Sequence, residues 1–262
     1  MSARSRAAGF SLVELMLALV AGLIVVGAVL AFTLSSLRAN SEYIRSTRLT
    51  QELRTTLNFV SDELRRAGYD EDAMNYVFRP ASYTQSSPFS PIGVANINAG
   101  DGCIVYAYDR LPGTAGVREP ANGEIRAIRR VDRQVNGRTV GVLEFAESSA
   151  TNASVSCNGS SPDYTTYPAT CTGNWCAVSD PRVLDITAFT LSDGGVTNLP
   201  GGSGSRPLQI RRLGVDLRGR LIGATDIVRG VHANVRVRAD CVQANPGSFS
   251  GTAGNCTTAP SI

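Results

Sequence analysis

Hydrophobic and polar positions divide the chain into three zones. From Phe10 to Leu37 the sequence is apolar with a single charged residue, Glu14. As a helix rising 1.5 Å per residue this run reaches about 42 Å, longer than a hydrocarbon core of roughly 30 Å. It predicts a segment that can cross a membrane with some length left over. It is too long for a conventional secretory signal, whose apolar stretch is about 7–15 residues before a small-residue cleavage site. From Arg38 onward polar residues enter while the helical period persists. Leu49, Leu53, Leu57, Val60, Leu64 and Ala67 recur at steps of three and four and share one face, with Glu42, Arg45, Arg48, Glu52 and Asp62 mostly elsewhere. Gly68 is a natural C-terminal stop. The pattern therefore predicts one nearly continuous helix over residues 10–67, its second half packed on a globular domain.

Beyond residue 100 the period shortens. Ile104–Tyr108, Ile125–Val131, Val140–Phe145, Val183–Leu191, Leu208–Leu217 and Val231–Ala239 read as strands, and Asn136-Gly137 is a strong hairpin signal between the second and third. Residues 146–180 and 192–206 read as loops, with the Gly-Gly-Ser-Gly-Ser run at 201–205 as a connector. The fold class is α+β: a long N-terminal helix, half membrane or filament and half packed, against an antiparallel β-sheet. The expected division is 1–9, 10–37 and a globular domain over 38–262.

Composition excludes more than it assigns. The formal net charge is +3, too near neutral to call for nucleic acid, and all 25 basic residues are arginine. Within the strand runs Arg129-Arg130 and Arg211-Arg212 point to opposite sides, so neither pair makes a basic patch, and solvated positions are the default. The only histidine, His232, alternates with apolar neighbours and reads as structural. No Gly-x-Ser-x-Gly and no phosphate loop accompanies it, so the chain is not read as an enzyme and implies no cofactor. The six cysteines Cys103, Cys157, Cys171, Cys176, Cys241 and Cys256 all follow the apolar run. They form no metal-ligand spacing and suit disulfides in an oxidising compartment, with the connectivity open. Asp70, Glu71 and Asp72 lack a matching oxygen-ligand spacing for calcium and read as a solvated loop. Trp175, with Tyr164 and Tyr167 nearby, either covers a disulfide and part of the sheet or offers an aromatic surface to a partner.

Glu14 is the residue that a plain membrane anchor does not explain. A carboxylate inside an apolar span costs about 2.5–3.5 kcal/mol on insertion scales, so such residues are usually paired and functional. Ahead of it lies a short basic segment, with Arg4 and Arg6, ending in Gly9. Cleavage after Gly9 would free an amine at Phe10, one helical turn from Glu14. Those two groups could pair within one chain or between neighbours, and a pair between neighbours would set the register of an incoming subunit.

The run Gly9-Phe10-Ser11-Leu12-Val13-Glu14-Leu15 before a long apolar helix resembles the class III signal of type IV prepilins. That resemblance implies cleavage between Gly9 and Phe10 by prepilin peptidase, N-methylation of Phe10, and an assembly role for Glu14. It departs from many major pilins in having no proline midway through the helix, only Gly22 and Gly27. The stretch Asp62-Glu63-Leu64-Arg65-Arg66-Ala67-Gly68-Tyr69 resembles the end of the helix in PilW-like minor pilins. It implies a minor pilin that helps prime pilus assembly near the tip, with roles in adhesion and twitching motility. Its partners would be minor and major pilins and a tip adhesin. The implied location is the inner membrane as a single-pass protein, head in the periplasm, then the pilus or a pseudopilus. A J-type pseudopilin of type II secretion shares the leader, helix and size, and a tip ligand-binding module stays open as well. The preferred disulfides are Cys171 with Cys176 and Cys241 with Cys256, leaving Cys103 with Cys157. The Cys241–Cys256 closure resembles, by position, the C-terminal disulfide loop of many pilins.

Overall fold

The computed structural model describes residues 9, 11–78, 86–96, 99–111, 118–166, 168–200 and 206–242. The chain forms two compact units, residues 1–47 and 48–262. The helix α1, Leu12–Arg66, runs unbroken for 55 residues, through Gly22 and Gly27. In the first unit every described residue from Leu12 to Arg45 is exposed.

The second unit contains the rest of α1, a short helix α2 (Ala73–Phe78) and two antiparallel sheets. The first sheet has five strands in sequential order: β1 (Ile92–Ala95), β2 (Cys103–Ala107), β3 (Ile125–Val135), β4 (Arg138–Glu147) and β5 (Trp175–Ala177). The second has β6 (Leu184–Leu199), β7 (Leu208–Leu221) and β8 (Ala224–Arg236) in order, with β9 (Cys241–Val242) paired to the start of β7. Asn136 and Gly137 turn β3 into β4 with φ of 51° and 74°, the left-handed pair that matches strand twist.

The face predicted for the second half of α1 is the face that packs. Leu49, Leu53, Val60, Leu64 and Ala67 are fully buried and Leu57 nearly so. They share one core with Ile104, Tyr106, Ile128 and Leu143 of the first sheet and Ile186, Phe189, Leu191, Val215, Leu217 and Val235 of the second. One helix thus seats both sheets. Gly68, at φ 76°, ends it and donates its N–H to the Ala107 carbonyl at 2.7 Å. The sheets also touch directly: Gly102 N–H donates to the Phe189 carbonyl at 2.9 Å and Phe189 N–H to that of Gly100 at 2.8 Å. A Cβ on Gly102 would stand 2.7 Å from the Phe189 oxygen, so this crossing excludes any side chain.

Several sequence expectations need correction. One sheet was expected and two form, because β6 crosses to α1 and begins a second layer. Residues 192–199 are strand, not loop; β6 absorbs Gly194-Gly195 in a bulge, with Gly195 at φ 97°. Within 146–180, β5 pairs Trp175–Ala177 with the end of β4, turned back by Gly173 and Asn174 at φ 54° and 72°. The short elements α2, β1 and β9 carried too little periodicity to be foreseen. Residues 201–205 lie outside the described ones.

Candidate functional site: the apolar helix and its first turn

Ser11 opens α1, its carbonyl accepting the Leu15 N–H at 3.1 Å, and Glu14 stands exposed in the first turn. A carboxylate there stands at the end of the helix where backbone N–H groups lack intrahelical partners. Gly9 is exposed with open space where a side chain would project, and Phe10 lies outside the described residues. From Leu12 to Leu37 the side chains are exposed on every side of the helix. The helix is long and apolar enough to cross a membrane, and none of its most apolar window is buried in the protein. An all-round apolar helix needs cover from lipid or from other helices. The chemistry of this site is therefore association: a greasy rod bearing one carboxylate at its start.

The other residues singled out in the sequence serve the head itself. Cys103 bonds Cys157 and Cys171 bonds Cys176. Cys241 is disulfide-bonded, and Cys256, its preferred partner, lies outside the described residues. Trp175 is 1% exposed, with the Arg129 guanidinium 3.8 Å over its ring, so it is a buried support and no surface platform. The Tyr164 hydroxyl donates to Glu144 at 3.0 Å; burial first, then the Glu144 charge, raises its pKa. Tyr167 lies outside the described residues. His232 is exposed, and its Nδ1 is 3.0 Å from Asp216 on β7.

Two arginines expected in solvent are buried, which corrects the solvated reading. Arg129 is 2% exposed and donates to Glu144 (2.8 Å) and to the carbonyls of Cys157 (2.6 Å), Gly159 (2.8 Å) and Ser160 (3.2 Å). Its burial lowers its pKa, opposed by the Glu144 hydrogen bond and charge. Arg211 is buried as well and donates to the Ser90 carbonyl. The acidic loop is likewise no open ion site at Asp70. That carboxylate is buried, accepts from the Asp72 N–H (2.8 Å) and from the Ser87 hydroxyl, and has its pKa raised by burial. Another buried acid went unforeseen: Glu63 of α1 accepts from Arg126 (2.9 Å) and Tyr106 (2.8 Å), fixing the helix on the first sheet.

A membrane-length apolar helix leading into an antiparallel head defines a pilin-like subunit. The comparisons agree: residues 42–237 match the family described as prepilin peptidase-dependent protein B, and residues 4–30 match the prokaryotic N-terminal methylation motif. The chain belongs to the family of prepilin peptidase-dependent protein B. No curated protein matches it. No solved structure matches it either.

Proposed function

We propose that this subunit is a minor pilin, cut after Gly9 and N-methylated on Phe10, that joins a pilus through its apolar helix. In this reading residues 1–9 are the leader, 10–37 the membrane and then filament segment, and 38–262 the rest of the subunit with the periplasmic head. Before assembly the chain sits in the inner membrane. During assembly Glu14 pairs with an N-terminal amine one helical turn along, on its own chain or a neighbour's, and so draws the incoming helix into register. The subunit contributes to priming and stands near the tip beside other pilins.

The observation that carries the reading is the exposed apolar rod of residues 12–37 with its single carboxylate in the first turn. A solitary acid in lipid is costly, and a partner amine removes that cost.

The test is the mass and N-terminal sequence of the membrane-extracted protein. A chain beginning at Phe10 and heavier by one methyl group supports the reading. A chain still beginning at the leader, in cells with active prepilin peptidase, overturns it. Glu14→Ala is expected to be processed normally and to enter pili at least about tenfold less often, since losing one ion pair of about 1.4 kcal/mol already shifts an equilibrium tenfold. Normal incorporation would sink the register role.

A further inference from the structure

The second sheet ends in a long strand, β8, that pairs with a strand on one side only among the described residues. β8 pairs with β7 on one side and closes the strand order, so its other edge meets no strand among the described residues. Such an edge offers a row of free N–H and C=O groups to another chain.

The two faces of that edge differ in kind. On the inner face Ile227, Val231 and Ala233 are only partly buried and packed against the core, with the exposed Arg229 between Ile227 and Val231. The outer face carries His232, Asn234 and Arg236 on β8, with Arg238 two residues further on. Across the ladder Arg236 stands opposite Arg212, two like charges in a position where opposite charges stabilise and like charges repel. Arg65, Asn234, Arg236 and Arg238 line a cleft of about 500 Å³. Among the described residues two carboxylates serve this group: Asp62, 2.8 Å from Arg65, and Asp240, 3.8 Å from Arg236. Charged side chains on an edge strand are a common guard against aggregation. Here three arginines line one cleft and a fourth, Arg212, stands opposite one of them, an excess of positive charge gathered at one end of the edge.

We propose that the β8 edge is a docking surface for an extended acidic segment of another polypeptide, added as a fifth strand. Apolar side chains of the segment cover Ile227, Val231 and Ala233. Carboxylates on its other face meet Arg236, Arg238 and Arg212, which relieves their repulsion. The required chemistry is thus alternating apolar and acidic residues, with backbone pairing supplying affinity and the arginines supplying selection. This surface belongs to the head and stands whether or not Gly9 is the cleavage point.

The test uses the full chain in detergent micelles and a fluorescent peptide of alternating Glu and Val, with a Lys–Val peptide as control. The Glu–Val peptide is expected to bind, to weaken as salt is raised, and to slow amide exchange along β8. The paired change Arg236→Glu with Arg238→Glu is expected to weaken binding at least about tenfold, the effect of about 1.4 kcal/mol. Both residues are exposed, and the milder Arg236→Gln with Arg238→Gln gives the same sign should the reversal disturb folding. Failure of the Glu–Val peptide to bind, equal binding of the Lys–Val peptide, indifference to both double variants, or unchanged exchange along β8 would each overturn the proposal.

Discussion

The two halves of α1 put their apolar residues to opposite ends and differ in how many they carry: 17 leucines, valines and alanines in residues 12–37 against six in residues 38–66. Up to Leu37 the apolar residues occupy all sides of the helix and remain exposed. From Leu49 they keep to one face and are buried, while Arg54 and Asn58 on the other side stay in solvent. Content and spacing together separate a helix that needs a partner outside the chain, apolar on every side, from one that finds it within along a single apolar face. The second half is then held by three devices the first half lacks: a core face, a buried ion pair at Glu63 and a glycine stop at Gly68.

Glu63→Ala should damage the head most among single changes here, by about 4 kcal/mol. It strips the Tyr106 hydroxyl and part of the Arg126 guanidinium of their buried acceptor, and removing one partner of a buried pair costs about 3–5 kcal/mol. Denaturant unfolding of the full chain in micelles measures it. An effect below about 1 kcal/mol would mean that Glu147, 2.7 Å from Arg126, takes over the pairing.

Leu53→Ala should follow at about 3 kcal/mol, since the side chain is fully buried between α1 and the second sheet. The matched change Leu23→Ala, on the exposed half, should leave head unfolding unchanged within about 0.5 kcal/mol. Equal effects from the two would erase the distinction between the halves.

Gly68→Ala should cost about 1–2 kcal/mol. The position has φ 76°, and an added Cβ would stand 2.9 Å from the Arg211 guanidinium, so strain and a displaced arginine add. A shift in unfolding midpoint without a change in the slope against denaturant would show that only stability moved.

Much of this was legible in the chain. The stripe from Leu49 to Ala67 named the buried face of α1, and Asn136-Gly137 named a hairpin. That hairpin held more than was taken from it. Counting outward from Val135 opposite Arg138 places Arg129 opposite Glu144 and Arg126 opposite Glu147. Both are ion pairs at 2.7 Å in the structure. The ion pairs of Arg126 and Arg129 were therefore readable from register, whereas reading the Arg129-Arg130 pair by itself assigned it to solvent; Arg211, on β7, was not readable in this way. The Glu63–Arg126 contact was not readable, because it joins residues far apart in sequence across a helix–sheet interface. The second sheet was hidden for a similar reason: no local pattern says which layer a strand joins. The short elements α2, β1 and β9 are fixed by their surroundings more than by their own residues.

The smallest expected effect is a pH dependence confined to the head. Arg118 bridges Glu124, at 2.7 Å, and Asp109. Burial opposes ionisation of Glu124, but the Arg118 hydrogen bonds and the N–H groups of Arg110 and Ala121 outweigh it and bring its pKa down to about 2. A depressed carboxylate contributes stability that is present above its unfolded value of 4.5 and lost as pH falls through about 2. Asp70 acts with the opposite sign: burial raises its pKa, so its protonation on acidification favours the folded head. The net slope between pH 4.5 and about 2 is thus shallower than Glu124 alone would give. Glu124→Gln should flatten the acid limb of the unfolding midpoint, and Asp70→Asn should steepen it. Identical acid limbs in the two variants and the parent would show that neither carboxylate couples the fold to protons.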